Sequence, residues 1–239
     1  MPRFRFPLLL AAALAGAGPA LAADIPVDLE LVLAVDISGS IDPDEAALQR
    51  RGYVEALASP EVMDAIRSGT MGRIAVAYVE WAGPDNQSVV LPWQEIGDEA
   101  AARAFANALA EAPLNSARWT AVGAAIDFAV PLFENNGFEG MRRVIDISGD
   151  GYTNRGRPAA QARDAAVAAG ITINGLPILN DRPNPWGGPP TVGLDAYFES
   201  DVIGGPGAFS IPAQDFGDFG RAILAKLIRE IAALERGAG

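Results

Sequence analysis

Leu29-Glu30-Leu31-Val32-Leu33-Ala34-Val35, running straight into Asp36-Ile37-Ser38-Gly39-Ser40, is the stretch on which the reading of this chain turns. A near-continuous apolar run of this length reads as a strand buried on both faces, as in a parallel sheet. It ends in a Gly-bearing turn that places one carboxylate and two hydroxyls at alternate positions. Asp36, Ser38 and Ser40 can therefore converge on one point. Oxygen-only donors of this kind suit a hard divalent cation such as Mg²⁺. An apolar strand folds without such an ending. The structural alternative is a turn capped by its own Asp and Ser side chains.

Working outward, helix and strand signals alternate. Asp42 caps a helix over 43–58, with Pro43 in the first position and Asp44 and Glu45 in the first turn. Residues 73–81 read as a strand, and 87–91 as its hairpin partner across Gly83-Pro84-Asp85-Asn86. Helices over 98–110 and 120–133 precede a third apolar strand, 144–148, which ends at Gly149-Asp150-Gly151. A helix over 157–169 is closed by Gly170 and leads into a strand over 171–178. Residues 180–190, rich in Pro, Gly and Asn, form an irregular loop. A short helix within 194–203, a short final strand over 208–211 and an amphipathic helix over 216–234 complete the chain.

This order predicts an α/β fold: a doubly wound, mostly parallel central sheet with one antiparallel edge strand and helices on both faces. A single domain over 23–239 accommodates it, since no repeat or long linker divides the chain. Ligands of such sheets bind at the carboxyl ends of the strands. The Asp36 and Asp150 motifs both close strands, so they predict one shared site.

The first residues are set apart. Arg3 and Arg5, an apolar stretch over 7–17 and the small-x-small Ala20-Leu21-Ala22 read as a signal peptide over 1–22, with a retained anchor as the alternative. That stretch is short for a membrane span, and no second hydrophobic run could cross a bilayer, so the mature chain is expected to carry no span and to be exported, periplasmic or secreted. Removing 22 of 239 residues leaves 217, and losing two arginines takes the net charge from −12 to −14. An acidic surface of this size argues against nucleic acid and anionic lipid as partners. The chain has neither Cys nor His. That excludes a Cys nucleophile, a Ser-His-Asp triad and a Cys or His zinc site.

At these motifs the chain resembles the von Willebrand factor type A domain family, over almost all of the expected mature sequence. Val35-Asp36-Ile37-Ser38-Gly39-Ser40 is similar to the family's DxSxS. Trp119-Thr120-Ala121-Val122-Gly123-Ala124-Ala125-Ile126 is similar to its threonine at a loop-to-helix junction, and Ile147-Ser148-Gly149-Asp150-Gly151 to its Asp-Gly after the fourth strand. The chain further resembles an uncharacterised group of exported bacterial members. The resemblance implies a metal-ion-dependent adhesion site formed by Asp36, Ser38, Ser40, Thr120 and Asp150. Its ion would be Mg²⁺ or Mn²⁺, completed by a Glu or Asp of a protein partner. Neutral hydroxyl donors leave much of the ion's charge free to attract that carboxylate, and Mg²⁺ keeps several waters that one can replace.

The family's Thr-Asp-Gly is Ser148-Gly149-Asp150-Gly151 here, which makes Asp146 a rival to Asp150. Asp146, Ser148 and Asp150 share a face if the strand stays regular. Asp150 is favoured because it lies at the strand end beside a flexible Gly. Asp146 is expected to make a buried hydrogen bond or to pair with an Arg. Thr120 alone also reads as the N-cap of its helix. Trp119, next to Thr120, is the candidate rim contact, whereas Trp93 and Trp186 read as partly buried. Asp195, Glu199 and Asp201 read as a solvated helix face. The leading functional expectation is a non-enzymatic protein-binding module. A Mg²⁺-dependent phosphoesterase is the enzymatic alternative, weakened by the lack of a phosphate loop and of histidine. A structural assembly domain with a vestigial site is the third.

Overall fold

The computed structural model describes residues 23–180 and 191–232. The expected signal peptide, nearly all of the 180–190 loop with Trp186, and the last two residues of the expected closing helix lie outside the described residues.

The apolar run forms β2 (Leu29–Asp36), buried along its whole length at the centre of a five-stranded sheet. β3 (Ile74–Trp81) and β6 (Arg143–Gly149) pair with it in parallel on either side, and β7 (Thr172–Pro177) extends the sheet beyond β6, also parallel. β4 (Gln87–Ile96) is antiparallel to β3 and forms the opposite edge, so the strand order is β4-β3-β2-β6-β7. That edge place explains how β4 tolerates Pro92, which offers no N–H to a ladder.

Alternation along β2 sends side chains to two separate cores. Leu29, Leu31, Leu33 and Val35 pack under α1 (Pro43–Leu57), α2 (Pro60–Arg67), α3 (Glu99–Glu111) and α7 (Phe219–Ile231). Val32 and Ala34 face α4 (Val122–Ala129), α5 (Ala159–Ala168) and α6 (Leu194–Tyr197), which runs on as a π-helical turn, Phe198–Val202. The helices thus cover both faces, as the near-continuous hydrophobicity of β2 requires.

Several expectations are corrected. α2 was not foreseen, although Ser59 caps it and Pro60 occupies its first turn. A two-stranded parallel pair of β1 (Ile25–Val27) and β5 (Phe138–Gly140) was also missed. The final strand expected over 208–211 does not form. There the chain meets β7 through one isolated bridge, Ser210 with Gly175, and a bond from the Phe209 N–H to the Asn174 side chain, and Pro206 and Pro212, which have no N–H to donate, bracket it. The helix expected from Thr120 begins two residues later at Val122, and its cap position, Ala121, makes no side-chain cap.

Candidate functional site

Asp36 is the last residue of β2, so the sheet itself delivers its carboxylate to the carboxyl edge. The Ser38 N–H donates to Asp36 Oδ1 at 2.7 Å, closing the Asp-capped turn that the sequence left open as an alternative. That bond uses one oxygen. Oδ2 makes no hydrogen bond among the described residues and points toward β6, where a Cβ on Gly149 would fall 2.9 Å from it. Glycine at 149 is what lets the end of β6 approach this close.

The hydroxyls form a chain. Ser40 Oγ donates to Asp150 Oδ1 at 2.7 Å and lies 3.0 Å from Ser38 Oγ. With its single proton committed to Asp150, Ser40 accepts from Ser38. Thr120 arrives from a third segment. Its N–H donates to Asn154 Oδ1 and its carbonyl accepts from the Asn154 N–H, both at 2.9 Å. The Ala121 N–H donates to the Ala82 carbonyl, fastening the same loop to the end of β3. A Cβ on Gly151 would lie 3.6 Å from Thr120 Oγ1, so the threonine hydroxyl stands over the residue that follows Asp150. Thr120 therefore does not act as the helix N-cap; its side chain faces the strand ends instead.

All five expected site residues thus come from three segments to one end of the sheet. Asp146 does not join them. It is fully buried one turn of the pleat lower, paired with Lys226 Nζ at 2.5 Å rather than with an Arg. Asn154, which clamps Thr120, was missed; a lone Asn in a turn-rich loop carries no signal of what lies across the site.

Electrostatics set this end of the sheet apart. Burial pushes the Asp36 carboxyl well above its ordinary range, and the negative charge of Asp150 pushes it further. Asp150 rises to about 6, chiefly through burial, with the Ser40 hydrogen bond pulling it down and the charge of Glu45 pushing it up. Neither carboxylate pairs with a Lys or Arg among the described residues. No group of three or more His, Cys, Asp or Glu side chains converges there either, so a cation at this point would depend on mixed carboxylate and hydroxyl donors. An unpaired Oδ2, two buried acids and three hydroxyls fit a hard divalent ion.

A family described as "Protein of unknown function (DUF1194)" matches residues 26–235. No curated protein matches the sequence. Among solved structures, proximal thread matrix protein 1 from the mussel byssus, with a zinc-occupied MIDAS motif, is 14% identical with a TM-score of 0.63. That likeness covers 88% of this chain and 50% of the mussel protein, so this chain spans about half of it. BatB from Bacteroides thetaiotaomicron is 22% identical with a TM-score of 0.55, over 86% of this chain and 99% of that one. The von Willebrand factor type A protein from Catenulispora acidiphila is 14% identical with a TM-score of 0.58, over 86% of this chain and 43% of that one. At these identities the likeness establishes the fold, that of a von Willebrand factor type A domain.

Proposed function

The chain belongs to the DUF1194 family, and we propose that it is an exported binding module that holds a divalent cation at the carboxyl end of β2 and uses it to engage an acidic residue of a protein partner. One observation carries this reading: two buried carboxylates, Asp36 and Asp150, lie with the Ser38 and Ser40 hydroxyls and beside Thr120, with no ion-paired Lys or Arg among the described residues.

Asp36, Ser38, Ser40, Thr120 and Asp150 would hold the ion. Oxygen donors without His or Cys favour Mg²⁺ or Mn²⁺ over the zinc of the mussel protein's motif. When bound, the ion supplies a Lewis-acidic point that attracts a carboxylate. The protein's own residues prepare that point. Gly149 admits Asp36 Oδ2 to the strand end, Ser40 orients Asp150, and Asn154 fixes the loop that carries Thr120. Uncharged hydroxyls leave the positive charge less quenched than a cage of carboxylates would. No described helix is long and apolar enough to cross a membrane. The basic residues Arg3 and Arg5 and the apolar stretch over 7–17 are what support export.

Pull-down from the native envelope fraction tests the reading. A partner should be retained in Mg²⁺, released by chelator, and lost with Asp36→Ala while the variant stays folded. Retention of the same partner in chelator and by the variant would remove the cation bridge.

A further inference from the structure

Beside the five site residues, Trp119 holds φ at +72°, a backbone conformation that a bulky side chain rarely adopts. The indole is nevertheless 44% exposed. Gly83 accommodates the strained turn: a Cβ there would fall 2.7 Å from the Arg118 carbonyl oxygen. The Arg155 guanidinium carbon lies 4.1 Å from the indole centroid, and that of Arg118 lies 5.6 Å away. Asn154, which holds Thr120 through two hydrogen bonds, directly precedes Arg155 in the chain.

Both arginines are exposed, and neither pairs with a carboxylate among the described residues. Their neighbour Arg157 contrasts with them, being paired to Asp127 at 2.6 Å. In a chain with 30 acidic and 18 basic residues, two exposed guanidinia against the ring that adjoins Thr120 offer positive charge to an acidic partner. An arginine laid against an aromatic ring keeps its N–H edge free for bidentate contact with a carboxylate. Strain kept at an exposed aromatic beside a site is a recurrent mark of function.

We propose that Arg118, Trp119 and Arg155 form a second contact for the partner, receiving carboxylates of a short acidic peptide segment around the one directed to the cation. The assignment rests on the cation-bridge reading above and specifies its partner further. A peptide segment fits better than an extended polyanion. A net charge of −12 repels a long anionic polymer, whereas a few acids on a neutral or basic partner meet the arginines alone. An open cleft of about 550 Å³ continues from Arg155, walled by Tyr152 and Tyr197 and reaching Asp201. Asp201 limits the acid-binding part to the Arg155 end.

The test uses two fluorescein-labelled Gly-Ser peptides, one with a single Glu and one with two Asp added next to that Glu. Their anisotropy is read with wild type and with an Arg118→Gln/Arg155→Gln double variant, at low ionic strength, in Mg²⁺ and in chelator. Wild type should prefer the three-acid peptide about fivefold. The double variant should hold both peptides alike, with Mg²⁺ affinity unchanged. A variant that keeps the preference overturns the proposal, as does tighter arginine-dependent binding of dextran sulfate than of the three-acid peptide. If chelator releases neither peptide while the double variant still loses the preference, the cation bridge fails and the arginine contact stands.

Discussion

Asp146 with Glu230, and Asp36 with Asp150, are two pairs of buried acids in one domain, and they are neutralised differently. Beneath α7, Lys226 Nζ lies 2.5 Å from Asp146 and 2.6 Å from Glu230, and Asn174 donates to Glu230 at 2.9 Å. That cluster carries its own cation and is sealed. At the strand ends, Asp36 and Asp150 have hydroxyls and N–H groups around them but pair with no ammonium or guanidinium among the described residues. Ionised acids in a low-dielectric interior need a compensating charge. Where the described residues supply none, a proton or an external cation can compensate. The difference between the two clusters is the physical argument for a metal at one of them and not at the other.

The largest effect that probes this contrast is expected at the sealed cluster. Lys226→Met leaves Asp146 and Glu230 buried without a counter-charge and should cost about 3–5 kcal/mol of stability in denaturant unfolding. Added Mg²⁺ should not restore it. Rescue by Mg²⁺ would mean that the two clusters are interchangeable and would break the comparison.

The next effect is on pH. The Asp150 carboxyl titrates at about 6 in the fold against 3.8 ordinarily, so the folded state holds this proton more tightly than the unfolded chain. Its stabilising contribution is complete below about pH 4 and is lost as pH rises through about 6. Metal-free protein should therefore lose up to about 3 kcal/mol over that window. Asp146, raised to about 7 mainly by burial and then by the charge of Glu230, extends the loss to higher pH. Asp150→Asn should flatten the lower part of the profile and leave the upper part. An unchanged profile in that variant would show that Asp150 is not the group responsible.

Much of this was legible in the sequence, and the rest was hidden for identifiable reasons. The apolar run of β2 and the Asp42–Glu45 capping box act over a few residues, so strand, helix start and site motif could all be read locally. Pairings between distant segments leave no such mark. Nothing near Asp146 announces Lys226, and nothing near Thr120 announces Asn154. Trp119 is the sharpest case, because a positive φ is normally signalled by Gly or Asn and here it falls on a tryptophan. The failed final strand was avoidable, since Pro206 and Pro212 bracket it in plain view.

A smaller effect sharpens the comparison within the site. Ser40→Ala removes the hydroxyl that orients Asp150 and should weaken Mg²⁺ binding about tenfold, with little change in metal-free stability. A calorimetric titration of the variant checks this.

The most direct measurement is calorimetric titration of Mg²⁺ into wild type, Asp36→Asn and Lys226→Met at pH 7.5, under conditions where each is folded. Saturable one-to-one binding by wild type and Lys226→Met, absent in Asp36→Asn, is the expected result. Equal binding by wild type and Asp36→Asn, or none by wild type, would contradict the claim that the end of β2 holds a cation.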